Sequence, residues 1–390
     1  MGRSLSLLCA ALPIGYGPAV KLVALARRLR SFARLVVVGE GSTLELVSRA
    51  PGAFDAVVAA NPASPKALPW LRDAHAVLSI MDRDAGAAAA RAGKPLFAVD
   101  SLLWMRPEIP EPLRGARAYF AQAFAGRDPL MGAPRPIRVG PLTEPRAVTR
   151  SAPRRGLVVN LGGSSAPDGR GLLFAPYARL ALRAVVAAGL AERFGRATVI
   201  GGESAIAALS GVTGDPRVEC VSLGPDEARE RMAGAAALVT APGLTTTLEA
   251  FSDRTPTWFL PPQNYSQWCL LRRLREQRVA DGALHWEDLP GTAHLPERMS
   301  PAQYATVSES ILRATRQEGV AERLRASLLE VGAGAAERAR RQGAFFDSLG
   351  PCGLDEVAAA LRRLSIPGTG VHEGASSPNS SDGRSQPWTS

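Results

Sequence analysis

The segment Ala237 to Gln267, "ALVTAPGLTTTLEAFSDRTPTWFLPPQNYSQ", sets hydroxyls and one carboxylate where an apolar run stops. Gly243 lets a ligand approach the backbone closely, and a helix begun at Leu244 puts Thr245, Thr246 and Thr247 in its first turn. The unpaired N–H groups and partial positive charge of such a helix tip suit an anion such as a diphosphate. Glu249 lies about one turn further, too deep to cap the helix. At that depth a carboxylate can accept hydrogen bonds from the two vicinal hydroxyls of a ribose. An anion at the tip with a diol beside it is the shape of a nucleotide. The competing reading makes Glu249 an ordinary helix acid that complements the dipole by a few tenths of a kcal/mol.

Three further loops carry glycine between an apolar run and a helical pattern: Gly15-Tyr16-Gly17-Pro18, Gly162-Gly163-Ser164-Ser165 and Gly201-Gly202. Each is either a tight turn or a place where backbone meets a phosphate. Gly162, Gly163, Gly202 and Gly243 all fall in the second half of the chain, which points to a phosphate-bearing ligand there. Neither the dinucleotide fingerprint G-x-G-x-x-G nor the P-loop G-x-x-x-x-G-K-[ST] is present, which argues against NAD and against ATP hydrolysis.

Short apolar runs alternating with helical patterns must position these residues. "SLLCAAL", "RLVVVG", "DAVVAA", "AVLSIM" and "PLFAVD" read as strands covered on both faces, hence a parallel sheet with helices on each side. A stretch poor in packing residues, 143–155, separates them from a second series: "GLVVNLGG", "RATVIGG", "RVECVSL", "AALVTAPG" and "PTWFLP". The expected fold is α/β, two Rossmann-like doubly wound domains facing a cleft, with strand-end loops from both halves lining it. The expected bounds are 1–145 for the first domain, 146–155 for a linker and 156–345 for the second domain. Within the second domain a helix is expected from about Ala175 to Leu190 and one long helix from Val320 to Asp347. A C-terminal helix at 346–366 follows, and the Ser-, Gly- and Pro-rich tail 367–390 carries too little apolar surface to fold.

The 390 residues are enough for two cores. The net charge of +10 is dispersed rather than gathered on one face with aromatics, which argues against a nucleic-acid partner. Cys9, Cys220, Cys269 and Cys352 show no ligand spacing, nor do His75, His285, His294 and His372, so neither a metal nor a disulfide framework is expected. The apolar start "MGRSLSLLCAALPIG" leads into an amphipathic helix and reads as a buried first strand. No run reaches the roughly 20 residues of a membrane span, so no stable membrane insertion and a cytoplasmic location are expected.

"GLTTTLEA", "PTWFLPP" and Gln267 together resemble the donor-nucleotide motif of GT-B glycosyltransferases, whose pattern runs G-x-x-T-x-x-E, an apolar strand ending in proline, then an acid followed by Gln. The segment "SIMDRDAGAAAARAGKPLFAVDSLLWM" resembles the cytosylglucuronic acid (CGA) synthases of nucleoside-antibiotic pathways in actinomycetes. The resemblance implies a metal-independent, UDP-sugar-dependent glycosyltransferase without a cofactor. Its partners would be a nucleotide-sugar donor on the second domain and a small-molecule acceptor on the first, glucuronic acid and cytosine in the narrower case. It assigns Gly243 and Thr246 to the diphosphate, with Gly162 and Gly163 near the phosphates; Thr245 and Gly202 join the donor-nucleotide candidates from their own places at the helix tip and strand end. It also assigns Glu249 to the ribose, Gln267 to the donor sugar, and Gly15 and Gly17, which flank Tyr16, to a loop at the cleft. Ser266 stands where the family has an acid, a departure compatible with an anionic sugar.

Sugar transfer needs a proton acceptor and a stabilised leaving diphosphate. Asp82 and Asp100, at the ends of first-domain strands, are the candidate bases, with helix capping as the rival reading for each. Trp104 near Asp100 could stack on a planar acceptor or belong to the core. Lys21, Arg83 and Arg170 are candidate cations for a diphosphate or uronate. Two other readings share the architecture: a nucleotide-sugar 2-epimerase or hydrolase, and a non-catalytic transferase-like partner subunit.

Overall fold

The computed structural model describes residues 5–106, 108–124, 135–144, 153–163, 175–290, 292, 295, 296, 299 and 304–364. Part of the expected linker, the loop residues Ser164 and Ser165, Arg170, His294, His372 and the tail 367–390 lie outside them.

The first half builds β1 (Leu5–Ala11), α1 (Gly17–Leu29), β2 (Ala33–Gly39), α2 (Gly41–Val47), β3 (Ala56–Ala59), α3 (Leu68–Asp73), β4 (Ala76–Ile80), α4 (Arg83–Arg91) and β5 (Leu96–Asp100). Two strands follow that the expected series, closing at "PLFAVD", did not include: β6 (Ala118–Gln122) and β7 (Ile137–Val139). Between β5 and β6 the described residues form only short 3-10 turns, so no helical pattern marks β6 in the sequence. All seven pair in parallel in the order β3-β2-β1-β4-β5-β6-β7. The continuous apolar runs are explained by burial on both faces: Leu7 and Cys9 look into one layer of helices, Leu8 and Ala10 into the other.

The second half builds β8 (Leu157–Asn160), α5 (Ala175–Ala187), α6 (Leu190–Arg193), β9 (Ala197–Ile200), α7 (Glu203–Ala207), β10 (Val218–Val221), α8 (Pro225–Gly234), β11 (Ala237–Thr240), α9 (Leu244–Ser252), β12 (Thr257–Phe259) and α10 (Tyr265–Glu276). Its five strands pair in parallel in the order β10-β9-β8-β11-β12. The expected helix from Ala175 to Leu190 ends at Ala187 and restarts after Gly189, whose φ of 64° interrupts it.

α11 (Tyr304–Ala314), α12 (Val320–Leu328), α13 (Ala335–Asp347) and α14 (Gly353–Leu364) complete the described chain. The single helix expected over Val320–Asp347 is two, because Gly332 and Gly334 take φ of 96° and 60°, a left-handed break that glycine makes at little cost. α14 returns to the first sheet, where Leu354, Val357 and Leu361 share a core with Leu22 and Leu29. Its Glu356 accepts a hydrogen bond of 2.7 Å from the Gly140 amide beyond β7. In the opposite direction Trp104, Met105 and Phe124 of the first half join the second half's core, with the Trp104 and Phe124 rings 4.9 Å apart. Apolar packing thus runs across the boundary between the halves. Among the described residues no helix is long and apolar enough to cross a membrane.

Candidate active site

Both sheets end on one cavity of about 680 Å³. Leu12 follows β1, Met81 follows β4, Leu102 follows β5, Gly162 follows β8, Gly201 follows β9 and Gly243 follows β11, and all line it. Ligand crevices of open α/β sheets lie at such carboxyl ends. Met81 holds φ at 60°, an uncommon backbone state for a residue with a side chain, and it does so on this wall.

Gly243 is the N-cap of α9, and the cap position carries no side chain to satisfy the first N–H groups. Thr245 and Thr246 face the cavity, while Thr247 is fully buried with no recorded partner for its hydroxyl. Thr246 Oγ1 accepts from Asn160 Nδ2 at 3.3 Å, and Asn160 Oδ1 accepts from the Gly162 amide at 2.8 Å. One asparagine at the end of β8 thereby fixes the glycine loop against the tip of α9.

Glu249 is 8% exposed and lines the cavity, and no hydrogen bond to its carboxylate is recorded among the described residues. Burial pushes its pKa up to about 7, Arg229 and Lys21 pull it down, and Asp253 and Glu144 push it up. Arg229 cannot serve it fully, because its guanidinium grips Asp253 with bonds of 3.2 and 3.1 Å. A buried carboxylate left without donors is costly, and this one lines the cavity.

Tyr16 spans the cleft. Its ring covers Gly163 so closely that a Cβ there would stand 2.4 Å from the ring, and its hydroxyl donates to Glu45. Gly202 lies beneath the same phenol, with a Cβ position 3.1 Å from the hydroxyl, and is not on the cavity wall. Gly15 and Gly17 complete the loop. A Cβ on Gly17 would reach within 3.0 Å of Thr245 Oγ1, so glycine permits the α1 tip to meet the α9 tip.

The "PPQNYSQ" turn is anchored from below. The Pro261 carbonyl accepts from Tyr177 and the Pro262 carbonyl from Trp286, each at 2.6 Å and each from a buried ring. Ser266 Oγ donates to Asn264 Oδ1 at 2.8 Å, and Asn264 caps α10. Gln267 Oε1 accepts from the Gln263 amide at 2.9 Å. Ser266 and Gln267 line the cavity beside Gln263 and Asn264.

Neither candidate base lines the cavity. Asp82 caps α4, accepting from the Ala85 amide at 2.9 Å. Burial raises its pKa to about 6, yet it does not line the cavity. Asp100 is fully buried and spends its oxygens on the Leu102 amide (2.7 Å), Arg106 (2.6 Å) and the Tyr119 hydroxyl (2.6 Å). Through the ion pair it holds the cavity residue Arg106 in place. Trp104 likewise is core, with its indole N–H on the Ser101 carbonyl at 3.1 Å. Of the candidate cations, Arg83 is exposed away from the cavity and Lys21 is 3% exposed within it.

Residues 124–311 match a protein family described as CGA synthase-related protein. No curated protein matches the sequence. Among solved structures, spinosyn rhamnosyltransferase SpnG complexed with thymidine diphosphate superposes with a TM-score of 0.54 at 14% identity, covering 93% of this chain and 100% of that one. Medicago truncatula UGT71G1 complexed with UDP-glucose gives 0.51 at 11% identity, with 93% and 99% covered. The glycosyltransferase of kitacinnamycin gives 0.51 at 15%, with 94% and 100% covered.

The chain has the GT-B fold. It resembles the CGA synthase-related proteins. In this GT-B chain, sequence reasoning missed several wall residues: Asn160, Gln263, Asn264 and Ile311 and Leu312 of α11. Asn160 and the Gln263-Asn264 pair had a signal, being polar residues at the ends of apolar strands. α11 had none, because only the tertiary fold carries it to the cleft.

Proposed function

We propose that the protein is a glycosyltransferase that binds a UDP-sugar with the diphosphate over the tip of α9 and the ribose hydroxyls on Glu249. The single observation that carries this is Glu249: a buried carboxylate without recorded donors, one turn below a helix tip that opens into the interdomain cavity. Nucleoside diphosphates bound to SpnG and UGT71G1 support the ligand class for this fold. Gly162 and Gly163 would lie beside the phosphates, and Gln263, Ser266 and Gln267 beside the sugar. The acceptor would enter from the first sheet, whose wall of Leu12, Ile14, Met81, Leu102 and Met105 is apolar and suits a flat, weakly polar molecule.

The resemblance to CGA synthase-related proteins supports the narrower assignment to glucuronic acid as the sugar and cytosine as the acceptor. Ser266 contributes to it, since a carboxylate there would repel a uronate. Incubation with UDP-glucuronic acid and cytosine, followed by mass spectrometry and UDP release, tests it. A cytosine glucuronide formed in step with UDP is expected. UDP release that does not depend on any acceptor would replace transfer with hydrolysis.

A further inference from the structure

Lys21 belongs to α1 on the first sheet, yet its side chain reaches the tip of α9 on the second. It is 3% exposed and lines the cavity. An ammonium carries three donors, and one bond is recorded for this one among the described residues, to Thr245 Oγ1. Burial pulls its pKa down to about 8, against the upward pull of Glu249 and Asp100. Burying a cation carries a penalty that a hydrocarbon side chain at this position would avoid. The other cationic side chain on the cavity wall, Arg106, is held by Asp100.

We propose that Lys21 binds the phosphate of the nucleotide donor from across the cleft, using the donors not spent on Thr245. The inference rests on the nucleotide-sugar reading and deepens it: α9 supplies backbone N–H groups and Thr245, and α1 supplies the positive charge, so neither sheet holds the diphosphate alone. Glycine at position 17 is part of the arrangement, since a Cβ there would stand 3.9 Å from the Lys21 ammonium and 3.0 Å from the Thr245 hydroxyl.

Calorimetric titration of UDP and of uridine into the full chain and into Lys21→Met, Lys21→Gln and Lys21→Arg tests it. Loss of the charge-assisted bonds is expected to weaken UDP about ten- to a hundredfold in the Met and Gln variants. Uridine affinity should be unchanged, and Arg should restore most of the UDP affinity. Lys21→Gln, which keeps a polar tip, carries the test if the Met variant fails to fold. UDP affinity equal to wild type in either neutral variant would overturn the proposal. Equal weakening of UDP and uridine would also overturn it, because Lys21 would then only shape the pocket. A wild-type protein that binds no nucleoside diphosphate would instead overturn the nucleotide-sugar reading beneath it.

Discussion

Replacing Glu249 by Gln should stabilise the protein at alkaline pH and leave it nearly unchanged at acid pH. The carboxyl's pKa is raised from 4.5 to about 7, chiefly by burial. A raised carboxyl pKa means the native state holds the proton more tightly than the unfolded chain. Its contribution is therefore fully present below pH 4.5 and lost as pH climbs through about 7. Two and a half units at about 1.36 kcal/mol each give roughly 3 kcal/mol of strain in the charged native state above pH 8. At pH 5 the same relation gives under about 1 kcal/mol. Gln keeps the shape and removes the charge, so denaturant melts at pH 5 and 8.5 should show a stability gain that grows by about 2 kcal/mol between them. A gain that is the same at both pH values, or a loss at pH 8.5, would refute the claim that Glu249 is held charged and unsatisfied. The variant should pair its added stability with poorer donor binding, the exchange expected of a binding group.

Asp100→Asn should lower the melting temperature through loss of the Arg106 pair, at about 3 kcal/mol. An unaltered melt with abolished turnover would return Asp100 to the role of base. Asp82→Ala removes an N-cap and should cost about 1 kcal/mol while turnover in the transfer assay stays near wild type. Gly163→Ala forces a Cβ against Tyr16 and should destabilise by about 1–3 kcal/mol, with Tyr16→Ala relieving most of that in the double variant. Additive effects in that thermal cycle would mean that Tyr16 does not cover the loop.

The α9 segment was legible because its chemistry is local. Gly243, the threonines and Glu249 sit within seven consecutive residues, and the helix starts at Leu244 as their pattern requires. The parallel sheets were legible from continuous apolar runs, whereas β6 was not, since among the described residues only short 3-10 turns separate it from β5. What the sequence hides is partnership at long range. Nothing near Asp100 in the chain tells that Tyr119 will occupy one of its oxygens, and without that fact a base and a structural acid look alike. Lys21 and Thr245 are 224 positions apart, so their bond across the cleft could not be read from either motif. The return of α14 to the first sheet is of the same kind: its amphipathic pattern says that one face is buried, but not against which domain.

The most direct measurement of the donor site compares UDP with 2′,3′-dideoxy-UDP by calorimetric titration into wild type and Glu249→Gln. If Glu249 holds the ribose diol, wild type should prefer UDP by about tenfold or more, and the variant should lose most of that preference. Equal affinity of the two ligands for the wild-type protein would contradict the account.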